Sequence, residues 1–490
     1  MTIRDHTRMG IDLKIALRSI GGVSNLEERF SKLEAQVAAL LKTVADRDAE
    51  IVGLRARIAD LETQLGQNSN NSHKPPSTDP PGTRPTKPET GRKRGGQPGH
   101  KGHRRELLPP EKVTRRTVLK PSTCKCCGGR RLGTGSAEPR VHQVLEVPEI
   151  APDVHEIRMH SAECLDCGTT TWAELPANVP AHMFGPRLLA LTGYMLAART
   201  SRRQLREMLA EVFGIPVSLG ALSEAEARTS DAIAAASDEA AAHVRAHPIK
   251  NVDASTWRIE GAYAALWTIA TRFVVAFFVT PDAKAPGIRA LLGQLHGIMM
   301  SDRGSQLGFW AMERRQVCWA HLIRKLVAFS ERNDKGAQLG ESLLLVTHAM
   351  LSEWHRVRDG TLPRARFEKI AGNAQLMIER LLECGVALKI RGLSGACADM
   401  LAHKDAFTTF ARHQGVEPTN NHAERALRPF VLWRKTSYGS QSERGCLFAG
   451  RIMTVAHSLR LQKRSIFRFL VEACQARSTG GSGPSLLPTR

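Results

Sequence analysis

The sequence predicts an α/β body, a mixed sheet with helices on its faces, set behind an elongated N-terminal arm. Three observations carry that reading. Between about residues 249 and 321, apolar runs of strand length come first and then alternate with helical stretches, the pattern of a helix-covered mixed sheet. Residues 23–65 repeat apolar positions every seven residues. Between these regions, polar chain rich in Pro and Gly and two Cys-x-x-Cys-Gly pairs separate arm from body.

Length and charge bound the rest. At 490 residues the chain is expected to divide into three or four parts, and 69 Lys and Arg against 48 Asp and Glu leave a formal charge of +21. An excess of that size favours a polyanionic partner. The start, MTIRDHTRMGIDLKIALRSI, places charges every few residues and has no apolar core of a signal segment. The most apolar later stretch, 264–280, is broken by Thr268, Thr271 and Arg272 and reads as two strands rather than a membrane span. The cytosol is therefore expected, with no membrane partner. The ten cysteines should be reduced there, and paired ones are metal ligands before they are disulfides.

In chain order, residues 1–65 comprise an N-terminal segment and a coiled coil. Heptad position a reads Val23, Phe30, Val37, Val44, Ile51, Ile58 and Leu65, and position d reads Leu26, Leu33, Leu40, Arg47, Leu54 and Leu61. Mostly β-branched residues at a with Leu at d favour two parallel strands, hence a homodimer or higher oligomer; the plain alternative is an amphipathic helix lying on the chain's own body. Residues 66–120 are too poor in apolar surface to fold alone and read as a flexible basic linker. Arg92, Lys93, Arg94, Lys101, Arg104 and Arg105 are expected on DNA phosphates, with Arg94-Gly-Gly entering a minor groove; a solvated charge run is the alternative.

Residues 121–170 are the expected zinc-binding domain. Cys124, Cys127, Cys164 and Cys167 form two turns, each presenting two thiolates at one point, and four thiolates complete a closed structural Zn²⁺ site. The 36 residues between the pairs contain β-like runs at 141–147 and 154–159 that suit a zinc ribbon, and Cys126 offers a competing register. Residues 180–247 are helical. A basic helix, a turn at Gly214 and a further helix from about Leu219 read equally as a helix-turn-helix or a packed hairpin. Residues 248–470 carry the sheet. A strand into Asp253, a pair at 264–270 and 273–280, a helix near 287–295 and strands at 298–302 and 316–321 precede a helical insertion at about 322–416. A helix near 446–461 follows, and 471–490 reads as a disordered tail.

The chemistry centres on residues 417–435, EPTNNHAERALRPFVLWRK. Asn420 or Asn421 is placed to cap a helical run that sets Glu424 among Arg425, Arg428, Arg434 and Lys435. Pro429 is expected to kink or stop this helix, turning Trp433–Lys435 toward a substrate. One acid among cations reads as a surface ion pair as readily as a ligand. Asp253 and Asp302, however, each stand at the end of an apolar run, and acids at strand ends converge in space. Three carboxylates suit two Mg²⁺ or Mn²⁺ ions, which can clamp the attacking and leaving oxygens of a phosphodiester. The four cations would then hold DNA phosphates, the alternative being a solvated cationic face. Cys318-x-x-His321 offers half a metal site, yet at the end of an apolar strand His321 reads first as a packed core residue.

Taken together, LGQNSNNSHKPPS with GRKRGGQPGHKGH, both Cys pairs, NVDASTWRI, MSDRGSQL, CWAHLIRK and PTNNHAERALRPFVLWRK resemble transposases of the insertion sequence 66 family, collinearly over roughly residues 60–470. The resemblance implies a ribonuclease-H-like catalytic core of the Asp-Asp-Glu type with a helical insertion, and a zinc-binding domain before it. It implies Asp253, Asp302 and Glu424 as catalytic metal ligands and Cys124, Cys127, Cys164 and Cys167 as zinc ligands. The implied partners are the element's terminal inverted repeats, target DNA and small accessory proteins, in a bacterial cytosol. Hydrolysis would expose 3′ ends, which then attack target DNA. Two departures stand out: Ala254-Ser255 where the family usually has Glu-Thr, and Arg303 where it usually has a small residue. A metal-dependent nuclease without strand transfer, or a zinc-containing sequence-specific DNA-binding regulator without catalysis, would share most of these features.

Overall fold

The structure, a computed structural model, describes residues 24–72, 79, 99–102, 106–135, 138–176 and 179–488. The expected DNA contacts at Arg92, Lys93, Arg94, Arg104 and Arg105, and heptad position Val23, lie outside the described residues.

The heptad segment is one helix, α1, Ser24–Leu65. It runs unbroken past Arg47, whose guanidinium lies 3.6 Å from Glu50. Leu33, Val37, Leu40, Val44, Ile51, Leu54, Ile58 and Leu61 of its seam are all exposed, so among the described residues nothing of the chain's own body covers them. The head of the expected linker is a folded turn. Asn68 N donates to Asn71 Oδ1 at 2.7 Å, Ser69 N to Asp79 Oδ1 at 2.7 Å, and Asn71 Nδ2 to Glu331 Oε2 at 2.6 Å. Strands β1, Ser161–Glu163, and β2, Thr170–Trp172, pair antiparallel around the second Cys pair. The strands expected at 141–147 and 154–159 are not formed; Val144, Val147 and Val154 are exposed there, with no second layer to bury a sheet face.

The body begins with α2 Pro186–Ala197, α3 Arg202–Phe213, α4 Leu219–Ala232 and α5 Ala234–Ala246. A reciprocal Ser201–Gln204 capping box starts α3, and Gly214 at φ 64 ends it in the left-handed conformation. The sheet follows as β3 Ile249–Ile259, β4 Ala262–Ala270, β5 Val275–Thr280, then helix α6 Ala285–Leu292, β6 Ile298–Ser301 and β7 Arg315–Val317. Helices α7 Trp319–Ser330, α8 Gly336–Arg358, α9 Arg364–Ala387, α10 Ser394–Leu401 and α11 Thr409–Arg412 form the insertion. The chain closes with α12 Asn421–Ser437, α13 Glu443–Leu461 and α14 Ile466–Thr479.

Strand order is β5-β4-β3-β6-β7. The β3, β4 and β5 strands are antiparallel, whereas β3, β6 and β7 run parallel. Both edges are covered, as sheet edges must be to avoid stray pairing. On α13, Thr454 Oγ1 accepts from Phe277 N at 3.1 Å and Ser458 Oγ from Val275 N at 3.0 Å. At the other edge, Thr409 Oγ1 donates to Arg315 O at 2.6 Å and Phe410 N to Gln316 Oε1 at 2.8 Å.

One apolar core joins helices α2–α5, the sheet and α12–α14, so residues 180–247 pack into the same body as the sheet. Helix α4 packs on α2, α3, α13 and α14 and buries Leu222, Ala225, Glu226 and Thr229, an arrangement that follows the packed-hairpin alternative. A second core, from Met300 and Val317 through Trp319, Leu343 and Phe407, fills the insertion and hangs it from β6 and β7. The expected disordered tail is ordered through residue 488. Leu486 is fully buried, and its N–H and the Ser485 hydroxyl both donate to Glu239. Among the described residues, no helix is long and apolar enough to cross a membrane.

Candidate active site

Strand register places the first two acids. In the parallel pair β3–β6, Asn251 stands opposite Met300. Asp253 and Asp302 each lie two residues beyond that pair, so both open at the carboxyl end of the parallel half, where open α/β sheets carry their ligands. Strand β6 stops at Ser301 and Asp302 leads out of the sheet. Strand β3, by contrast, continues to Ile259, so Asp253 lies within a strand rather than at its end. The loop after β6 is clamped from beneath. Fully buried Arg315 donates to the Asp302 carbonyl at 2.6 Å and to Ser301 Oγ at 3.1 Å, while Asp302 Oδ1 accepts from Gly304 N at 2.9 Å.

Glu424 arrives in the first turn of α12. Asn420 precedes that helix, but its side chain makes no cap. Its Nδ2 donates to Val252 O at 2.8 Å, its Oδ1 accepts from Asn251 Nδ2 at 2.9 Å, and its backbone N–H points at Cys318 Sγ at 3.1 Å. The start of α12 is thus knotted to β3 immediately before Asp253, and to the residue that opens α7. His422 Nε2 adds a bond to Thr271 O at 2.7 Å.

Burial pushes the Asp253 carboxyl up to about 7, and the charges of Asp302 and Glu424 push the same way, against an opposing 2.9 Å bond from Ala254 N. Asp253 therefore feels both other acids. The three carboxylates do not close into a shell; among the described residues, the three metal-ligating side chains whose donor atoms all lie within 4.8 Å are Cys318, His321 and Glu424. His321 is in the first turn of α7, not at a strand end, because β7 stops at Val317. Its Nδ1 is 3.7 Å from Glu424 Oε1, and burial followed by Arg324 lowers its pKa. Reading 316–321 as one strand hid this neighbour; the Cys-x-x-His spacing at a helix start was the signal.

Arg303, the unusual cation beside Asp302, is turned onto Asp399 of α10 at 2.6 Å. Of the four expected DNA contacts on α12, Arg425, Arg428 and Lys435 are exposed. Arg434 instead braces β3, donating to Ser255 Oγ at 3.1 Å and to the carbonyl and hydroxyl of Thr256. Helix α12 continues through Pro429 to Ser437, and Trp433 packs on Phe430 at 5.8 Å instead of turning outward. Lys101 of the linker is exposed.

The two Cys pairs form matching turns. Cys124 N donates to Gly129 O at 2.8 Å and Gly128 N to Cys124 O at 2.9 Å; Cys164 N donates to Thr169 O at 3.0 Å and Gly168 N to Cys164 O at 2.8 Å. Backbone amides of Cys127 and Cys126 hold the Cys124 thiol below its ordinary pKa, and the Thr169 hydroxyl does so for Cys167. Cys126 is exposed. The two turns are not brought into one four-sulfur cluster.

A family model described as "Transposase IS66 family" matches residues 182–447, and a family of unknown function, DUF6444, matches residues 22–106. The uncharacterized protein y4hP of Sinorhizobium fredii (strain NBRC 101917 / NGR234) is 23% identical over 391 residues, spanning 72% of this chain and 70% of that protein.

Proposed function

The chain belongs to the IS66 family of transposases, and on that footing we propose that it cuts the 3′ ends of a mobile element and joins them to target DNA at a site formed by Asp253, Asp302 and Glu424. The observation that carries this reading is the shared register of Asp253 and Asp302, supported by the Asn420 knot that ties the start of the helix bearing Glu424 to β3 just before Asp253. The sheet order, antiparallel on one side of β3 and parallel on the other, supports a ribonuclease-H-like core.

The donor set suits hard divalent cations. Asp253 is held near neutral pKa by burial and two neighbouring acids, and Glu424 Oε1 is buried without a hydrogen-bond partner, so added positive charge relieves both. Mg²⁺ or Mn²⁺ held by these three carboxylates would activate the attacking oxygen and neutralise the leaving one. The chain's own residues supply position and charge. Arg315 fixes the Asp302 loop, Asn420 fixes Glu424 against β3, and exposed Arg425, Arg428 and Lys435 face solvent where phosphates can reach them. Four thiolates at Cys124, Cys127, Cys164 and Cys167 would hold a structural Zn²⁺ once the two turns close on it, and α1 would pair two chains so that both element ends are processed together.

The test uses a plasmid target, an intact terminal repeat and a pre-cut 3′-OH end. Wild-type chain should cut the first substrate and join the second. Asp302→Asn should lower both by at least about 10³-fold while DNA binding stays within about twofold. Cutting without joining would leave a nuclease; unchanged function in Asp302→Asn would leave a DNA-binding regulator.

A further inference from the structure

We propose that Cys318, His321 and Glu424 form a second cation site, of thiolate–imidazole–carboxylate type and selective for Zn²⁺-class ions, whose filling withdraws Glu424 from the catalytic centre. The effect on catalysis rests on the proposed function; the binding does not.

The geometry comes from two helix starts facing each other. Cys318 is the residue from which α7 departs, and His321, three positions later, lies on its first turn. Helix α12 brings Glu424 against them, and all three donor atoms lie within 4.8 Å of one another, the imidazole and carboxylate at 3.7 Å. Around tetrahedral zinc, bonds of 2.0–2.3 Å place neighbouring ligand atoms about 3.3–3.8 Å apart. Side-chain rotations of less than about 1 Å close that difference. Three protein ligands leave a fourth position for water.

The chemistry selects the ion. Mg²⁺ takes oxygen ligands and gains little from sulfur, whereas a sulfur, a ring nitrogen and one carboxylate oxygen suit zinc. The Cys318 sulfur receives the Asn420 N–H at 3.1 Å, although burial keeps its thiol above the ordinary range, so a bound metal would have to displace the thiol proton. No other ligand-forming trio is present among the described residues, and Cys318 has no disulfide partner. Arg324 and Arg303 lie near His321 and disfavour a cation, while Asp302 beside His321 and Glu424 beside Cys318 oppose them. A carboxylate oxygen committed to zinc carries less charge toward the oxygen-ligand centre, so the two sites compete through Glu424.

Two measurements on the full chain test this. Zinc content is read by elemental analysis after equilibration in micromolar Zn²⁺, for wild type, Cys318→Ser and His321→Gln. Wild type should retain one equivalent more than either variant, on top of whatever the four arm cysteines hold, and in Co²⁺-loaded protein the sulfur-to-cobalt absorption should fall in Cys318→Ser. Equal zinc in all three overturns the site. If Cys318→Ser loses its near-ultraviolet circular dichroism, His321→Gln decides alone. Zinc titrated into Mg²⁺-driven cleavage should slow wild type by at least about tenfold, and each variant less than twofold relative to its own zinc-free rate. Equal slowing overturns the competition. If no chain cleaves but the zinc difference stands, the site is supported and the transposition reading fails.

Discussion

In the body, residues 179–488, the polar groups that shape the site are buried against one another, whereas in the described part of the arm the heptad side chains of α1 face outward. Asn251, Asn420 and Arg315 are almost entirely enclosed, and each has its hydrogen bonds met within the chain. Leu33, Leu40 and Leu54 of α1 are more than half exposed, and the arm cysteines form turns that remain apart. In the body these polar groups satisfy one another, apart from the charge that the three acids leave over. On the proposed reading the arm would be completed by something added: a second chain along α1, a metal between the cysteine turns, a polyanion on the basic linker. That contrast predicts which changes are felt by one chain alone and which appear only in an assembly.

The largest expected effect breaks the arm. If two copies pair along α1, Leu33→Glu with Leu40→Glu removes four leucine burials per dimer, at about 1.5 kcal/mol or more each, roughly 6 kcal/mol in all. That shifts dissociation by more than about 10⁴-fold, enough to turn a micromolar dimer into monomer in sedimentation. The body's melting temperature should not move, because neither side chain touches it. A double variant that remains dimeric would place the partner surface elsewhere and weaken the contrast.

The next effect belongs to the body and reads its surplus charge. With Asp253 raised from 3.8 to about 7, the folded chain keeps a proton that the unfolded chain has already lost between those pH values. Without divalent cations, this group's contribution to stability should therefore be greatest below about pH 4 and decline as pH rises toward 7, by at most about 4 kcal/mol. Asp253→Asn should flatten that slope. Saturating Mg²⁺ should oppose it, since a cation stabilises the ionised form that burial penalises. A slope unchanged by Asp253→Asn would mean that the Asp253 carboxyl is not raised in the folded chain.

The two regions were unequally legible in the sequence. Periodicity is a local signal, so α1, α13 and the antiparallel strands fell close to their expected places. The acids were found because they stand beside apolar runs, and their shared register is a property of parallel pairing that spacing alone does not disclose. What was hidden depended on tertiary contact. The residues 316–321 look like a strand, but β7 lasts three residues and α7 starts at once. Pro429 does not stop α12, since Ala423, Ala426, Leu427 and Phe430 anchor the helix on both sides of it. The tail holds because Leu486 finds a buried place and Glu239 meets its backbone, neither visible in GGSGPS.

Asn420 is where local expectation and tertiary fact diverge most, and it gives the smallest and sharpest test of the comparison. A helix cap would be worth about 1 kcal/mol and would be replaceable by its neighbour Asn421. Instead Asn420 joins β3 and α12 through both ends of its amide. Asn420→Ala leaves Asn251 Nδ2 and the Val252 carbonyl buried without their partner, a cost of about 1–3 kcal/mol in chemical unfolding. Glu424 then loses its tether to β3, and cleavage should fall by about 10–100-fold with a weaker Mg²⁺ requirement curve, as for other residues that orient metal ligands. Asn421→Ala, on the half-exposed side of the same dipeptide, should change stability by under about 0.5 kcal/mol and leave the curve in place. Equal effects from the two variants would mean that the pair merely starts a helix, and that the body's site is held together by something other than this knot.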